Sequence, residues 1–141
     1  METVQDVTRT KEGVTITLPS TFIEYESEKW ESYYESDDYA FMAKRVLRSK
    51  YDESLTSKAY LQYILSEHKL EATVGTVEGI NEAFHYCYYV NYENDEPTFG
   101  YMMLVIGSED YFYLMNFSSV YEKFQDSKLL FLQYALTIKV K

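Results

Sequence analysis

FHYCYYVNY, residues 84–92, places five aromatic side chains, one His and the chain's single Cys in nine consecutive positions. A run rich in Tyr and Phe, without Gly or Pro, favours the extended pleat of a strand. Two similar runs follow, so strands are predicted over 83–92, 99–107 and 111–117. Between them lie the turn-rich segments ENDEPT (93–98) and GSED (107–110), which make the three an antiparallel meander.

Side chains alternate between the two faces of a strand, so the register decides which residues share a face. With the 93–98 loop centred in its hairpin, Tyr88 is expected opposite Met103 and Tyr86 opposite Val105. With the next turn centred near Glu109, Met103 falls opposite Met115 and Val105 opposite Tyr113. One face then carries Phe84, Tyr86, Tyr88, Val90, Tyr101, Met103, Val105, Tyr113, Met115 and Phe117; the other carries His85, Cys87, Tyr89, Met102, Leu104, Ile106, Phe112 and Leu114. Neither face is polar, so each is either covered or used for binding. The aliphatic second face is the expected seat of both amphipathic helices. The first combines Tyr, apolar with a wet tip, and adaptable Met. Tyr86, Tyr88, Tyr101, Met103, Tyr113 and Met115 are therefore the candidate partner-binding residues, unless segment 20–38 covers them.

Outward from the meander, VTITLP (14–19) alternates as a strand closed by Pro19, and YAFMAKRVL (39–47) reads as another. Segment 21–38 is acidic and aromatic, with Trp30, Tyr33 and Tyr34 among seven carboxylates, and reads as a loop or short hairpin. A helix is predicted over 54–69, capped by Ser54 or Thr56, with Tyr60, Leu61, Ile64, Leu65 and His68 along one side. TVGTVEGI (73–80) is a weak strand or bend. Ser119 with Glu122 has the capping-box spacing for a last helix over 120–136, its buried stripe running through Val120, Phe124, Phe131 and Tyr134 or Ala135. TIKVK ends the chain as a possible short strand. Residues 1–12 read as a polar lead-in and 13–141 as one domain.

A net charge of −10 disfavours nucleic acid and anionic membrane surfaces, both of which need clustered Lys and Arg. No apolar run approaches the roughly 18 to 20 residues of a membrane span. The opening METVQDVTRTKEG has no signal-peptide apolar region, which leaves a cytoplasmic protein or an extracytoplasmic one whose leader is gone. His85 and Cys87 share a strand face with Cβ atoms about 6 to 7 Å apart, and His68 on the first helix could approach them. A buried thiol and an edge His is the preferred reading. The acidic stretches lack a calcium-loop pattern, the glycines are scattered, and no Ser nucleophile elbow occurs. No metal, cofactor or catalytic residue is assigned.

The order of elements carries a resemblance. A strand ending in Leu18-Pro19 is followed by a strand, a helix, a bend with Gly79, the meander, and a helix with a Tyr121, Phe124, Leu130 pattern. Over about residues 13–140 this resembles the PsbP-like superfamily, which includes DcrB-type bacterial proteins. Members often carry Trp just after the Leu-Pro; here Ser20, Thr21 and Phe22 follow, with Trp30 further on. The resemblance implies an α+β chain folded as an α/β/α sandwich around a central antiparallel sheet. It implies work by binding, with no shared catalytic residues. The expected function is a non-enzymatic accessory domain that captures a protein or peptide segment. The alternative is an extracytoplasmic lipoprotein-like structural domain with no dedicated groove, and the resemblance favours an extracytoplasmic setting.

Overall fold

The computed structural model describes residues 4–78 and 83–141. β1 (Asp6–Lys11) and β2 (Val14–Pro19) form a hairpin over Glu12 and Gly13, whose φ values of 47° and 83° make the two-residue turn that suits antiparallel twist. Six residues of the stretch expected as a polar lead-in, Asp6–Lys11, are thus an edge strand. β3 (Ile23–Glu24) and β4 (Ser32–Glu35) are the short hairpin expected in the acidic segment. β5 (Tyr39–Leu47) precedes α1 (Ser57–Glu67) and β6 (Gly75–Val77). The meander is β7 (Phe84–Glu93), β8 (Glu96–Gly107) and β9 (Tyr111–Val120), then α2 (Tyr121–Ala135) and β10 (Lys139–Val140). The bend expected at Gly79 lies outside the described residues.

β3-β4-β5-β9-β8-β7-β6 form a seven-stranded antiparallel sheet, and β1-β2-β10 a smaller, three-stranded one. The helices lie on opposite faces of the large sheet. On one face α2 and the small sheet bury Phe124, Phe131, Ile16 and Leu18 against Phe41, Met115 and Phe117. There Phe117 stacks on Phe131 at 5.6 Å and packs against Phe41 at 4.9 Å. On the other face α1 buries Tyr60, Leu61 and Leu65 against Cys87, Met103, Phe112 and Leu114. Tyr60 stacks flat on Phe112, centroids 4.7 Å apart. Each fully buried side chain of this size contributes on the order of 1.5–3 kcal/mol relative to exposure, so both faces are true cores. Putting both helices on one face was therefore incorrect: each takes its own side, because both sides are apolar.

The register also differs from expectation, by one residue in each hairpin. The 93–98 loop contracts to Asn94 and Asp95, with φ of 52° and 64°, and Glu93 pairs with Glu96. A bulge between Asn91 and Tyr92 then sets Tyr88 opposite Met102 and Tyr86 opposite Leu104. In the next hairpin Met103 pairs with Asn116, and Leu104 with Met115. The two slips cancel for β9, so only β8 changes sides. Met102, Leu104 and Ile106 join Tyr86 and Tyr88 on the α2 face, while Tyr101, Met103 and Val105 join Cys87 on the α1 face.

The two helix starts differ. Thr56 caps α1, its Oγ1 accepting from the Ala59 N–H at 3.1 Å. The capping box expected at Ser119 and Glu122 does not form. β9 runs on through Val120, and Ser119 is paired in the sheet with Tyr39 and Gly100, while its hydroxyl donates to the Val120 carbonyl at 3.1 Å. Val120, expected in the buried stripe, is exposed. Gly100 lets the Phe124 ring lie directly on β8, since a Cβ there would run into the ring.

Candidate binding groove

α1 has 11 residues, about 16 Å of helix at 1.5 Å per residue, whereas the 12 residues of β8 extend for about 40 Å. The helix roofs one end of its face and leaves the other to two hollows. One, of about 430 Å³, lies against Trp30, Lys44, Ile64, His68, Tyr89 and Asn116. The other, of about 310 Å³, lies against Tyr33, Glu35, Asp37, Asp38, Phe99 and Ser118. They meet at Met42 and Tyr101, which line both.

Strand alternation builds the floor. Met42 and Lys44 of β5, Leu114 and Asn116 of β9, Tyr101 and Met103 of β8, and Tyr89 of β7 all face the same way. Tyr89 and Tyr101 are directly opposed, and their rings stack at 4.8 Å and 9°. Burial raises both phenols above the ordinary tyrosine range, so they stay neutral. Trp30 forms a wall. Its backbone N–H donates to Ser27 Oγ at 3.1 Å, and the neighbouring Glu31 carboxylate accepts from the Arg45 backbone N–H at 2.8 Å, tying the loop to β5.

The groove is bipolar. Lys44 Nζ sits 5.0 Å and Lys29 Nζ 5.4 Å from the Trp30 ring centroid, within cation–π range. Burial first, then the charge of Lys29, lowers the Lys44 pKa. Among the described residues no carboxylate pairs with either lysine, in a chain with 23 acidic and 13 basic residues. At the other end stand Glu35, Asp37 and Asp38, of which Asp38 pairs with Lys123 at 2.8 Å. Between them Asn116 is 3% exposed, and its Oδ1 is buried without a hydrogen-bond partner.

The six residues proposed from sequence do not share a face. Tyr101 and Met103 line the groove. Tyr86, Tyr88, Tyr113 and Met115 belong to the α2 face, where Tyr113 and Met115 are fully buried. Tyr88 is half-buried against Phe124 at 6.0 Å, with Lys128 Nζ 4.8 Å from its ring centroid. His85 and Cys87 share the α1 face of β7 as expected, but each has its own surroundings. His85 Nδ1 bonds Thr76 Oγ1 at 2.8 Å, the Cys87 thiol is pushed up to about 11 by burial, and His68 lines the groove. Among the described residues no group of three His, Cys, Asp or Glu could hold a metal ion. Sequence reading missed Trp30, Lys44 and Asn116 as site residues. The available signal was polarity at Lys44 and Asn116 within largely apolar strands.

The architecture is the PsbP-like fold, an α+β sandwich on an antiparallel sheet. The solution structure of cyanobacterial PsbP (CyanoP) from Synechocystis sp. PCC 6803 superposes with a TM-score of 0.73 at 12% identity, covering 100% of this chain and 94% of that one. A crystal structure of a Bacteroides thetaiotaomicron VPI-5482 protein matches with a TM-score of 0.60, also at 12% identity, covering 91% of this chain, which spans only 45% of that one. No family model and no curated protein matches the chain. Among the described residues, no helix is long and apolar enough to cross a membrane.

Proposed function

We propose that this domain works without catalysis, as an accessory module that captures a peptide segment of another protein in the groove beside α1. One observation carries the reading: a sheet face with aromatic and apolar residues along its floor that is roofed by its own chain at one end and open, with polar groups, at the other. The groove floor crosses β5, β9, β8 and β7. At about 4.8 Å per strand spacing that is about 14 Å, the length of roughly four extended residues. Tyr101, Met103, Tyr89 and Trp30 supply rigid, amphipathic contact area of the kind that anchors peptides. Of the residues first singled out, Tyr101 and Met103 contact the segment, Tyr86 and Tyr88 form the half-buried rim of the opposite face, and Tyr113 and Met115 hold the core. An extracytoplasmic setting fits the PsbP-like fold.

Trp30 is the chain's single Trp, so tryptophan fluorescence reports from the groove. Peptides selected by panning a random library on the immobilised protein should change that fluorescence saturably, and Tyr101→Ala should abolish the change while the circular dichroism spectrum stays native. Selected peptides that bind without affecting Trp30, or that bind Tyr101→Ala equally well, would refute the site. A panning that yields no binder would favour a structural domain with no dedicated groove.

A further inference from the structure

We infer that the captured segment is a chain terminus, with its free α-carboxylate between Lys29 and Lys44, its last peptide N–H donated to Asn116 Oδ1, and its final apolar side chain on Met42, Met103 and Leu114. The inference rests on the capture reading and names the chemistry of what is captured.

Three features of the groove each ask for a different group. The two lysines share one aromatic wall and, among the described residues, pair with no carboxylate. They repel each other, so an anion between them relieves repulsion and gains charge-assisted hydrogen bonds. Asn116 Oδ1 has no hydrogen-bond partner among the described residues, and Asn116 lines the groove, so a donor seated against it would meet an unmet acceptor. Asn116 is flanked in register by Met42 on β5 and Met103 on β8, an apolar strip on both sides of the acceptor.

Lys44 pairs with Leu114, which puts Asn116 diagonally across from it on the same face, with Cα atoms about 7–8 Å apart. The amide N–H and carboxylate of one terminal residue fit between those two groups, because a lysine side chain reaches across the remainder. An internal segment offers the N–H and the side chain but no anion. An inorganic anion offers charge alone. Polyanionic nucleic acid is opposed by the chain's net charge of −10. The carboxylates of Glu35 and Asp37 at the far end repel a second anion, which fixes the direction of the bound chain: terminus towards Trp30, upstream residues towards β4.

The test uses the intact protein and two peptide libraries, one ending in a randomised free C-terminus and one carrying the same randomised stretch internally. Binders are expected from the first library, with an apolar last residue. Calorimetry should show an affinity loss of about tenfold or more when the terminus is amidated, a similar loss in Lys44→Gln, and recovery in Lys44→Arg. If amidation changes affinity less than about twofold, or if the internal library yields equal binders at Trp30, the terminus inference is overturned while peptide capture stands. If acetate alone displaces the peptide at matching concentration, the site is an anion site and the inference is likewise overturned. If neither library yields a binder that perturbs Trp30, capture fails and the terminus fails with it.

Discussion

Replacing Asn116 with Val should stabilise the free protein, an unusual direction for a substitution in a central strand. Asn116 lies on β9, 3% exposed, between Met42 and Met103, and its Oδ1 has neither protein nor solvent to bond. A buried acceptor left unpaired costs about 1–3 kcal/mol, which the variant recovers. Val is about one methylene larger than Asn and suits a pleated strand, and the hollow beside Asn116 takes the added bulk, so neither a cavity nor overpacking offsets the gain. With an unfolding entropy of about 2.1 cal/mol/K per residue over 141 residues, each kcal/mol moves the midpoint by roughly 3 °C. The melting temperature should therefore rise by about 3–10 °C in calorimetry, with a matching rise in the urea midpoint at unchanged slope. Phe117→Ala, which opens the opposite core, is the control and should lose about 3–5 kcal/mol. A fall of more than about 3 °C in Asn116→Val would mean that Oδ1 has a partner in the folded chain. The groove would then hold no unmet acceptor. If the reasoning holds, the same variant gains stability and loses peptide affinity.

Gly100→Ala should cost about 1–3 kcal/mol by urea titration, because the new Cβ must displace the Phe124 ring from β8; a neutral result would mean that α2 shifts freely. Thr56→Ala should cost about 1 kcal/mol through loss of the α1 cap, and Ser119→Ala, at the unformed capping box, much less. Alkaline stability follows from buried acids. Burial pushes the Cys87 thiol from 9.0 up to about 11 and raises the Tyr60 and Tyr89 phenols as well. The folded chain keeps protons that the unfolded chain gives up, so stability is full below about pH 9 and is lost as pH rises through about 11. Urea midpoints across that range should fall, and native Cys87 should resist thiol reagents at about pH 8; flat midpoints or rapid labelling would contradict the burial argument.

Much of the secondary structure is legible in the residues. The alternation of VTITLP and the run YAFMAKRVL return β2 and β5 with the expected bounds, and the two helices fall within three residues of expectation. The register is not legible, for a specific reason. Where one sheet face is polar, a one-residue slip puts apolar groups in water and the pattern forbids it. Here both faces are apolar, so exchanging Tyr101 and Met103 for Met102 and Leu104 violates nothing in the pattern. Only local turn chemistry could decide. Asn94 and Asp95 tolerate the left-handed conformation, but the sequence Asn-Asp announces a two-residue turn less strongly than Asn-Gly, and the bulge at Asn91 and Tyr92 leaves no compositional mark.

The groove follows from unequal cover on the two sides of one sheet. The α2 face has a helix of 15 residues, about 22 Å, plus the small sheet laid beside it. The α1 face has the shorter helix and its flanking segments, from which Tyr51, Leu55, Leu70 and Val74 pack on the core. β9 records the difference residue by residue. On the α2 face its side chains are Tyr113, Met115 and Phe117, apolar to the end. On the α1 face they begin as Phe112 and Leu114 under the helix and become Asn116 and Ser118 beyond it. β5 follows the same course, with Val46 near α1 and Lys44 past its reach. Polar groups are placed where the roof stops, because a dry core would tolerate none of them unpaired. Asn116 Oδ1 is nonetheless unpaired, and under the proposed reading the N–H of a bound segment would meet it.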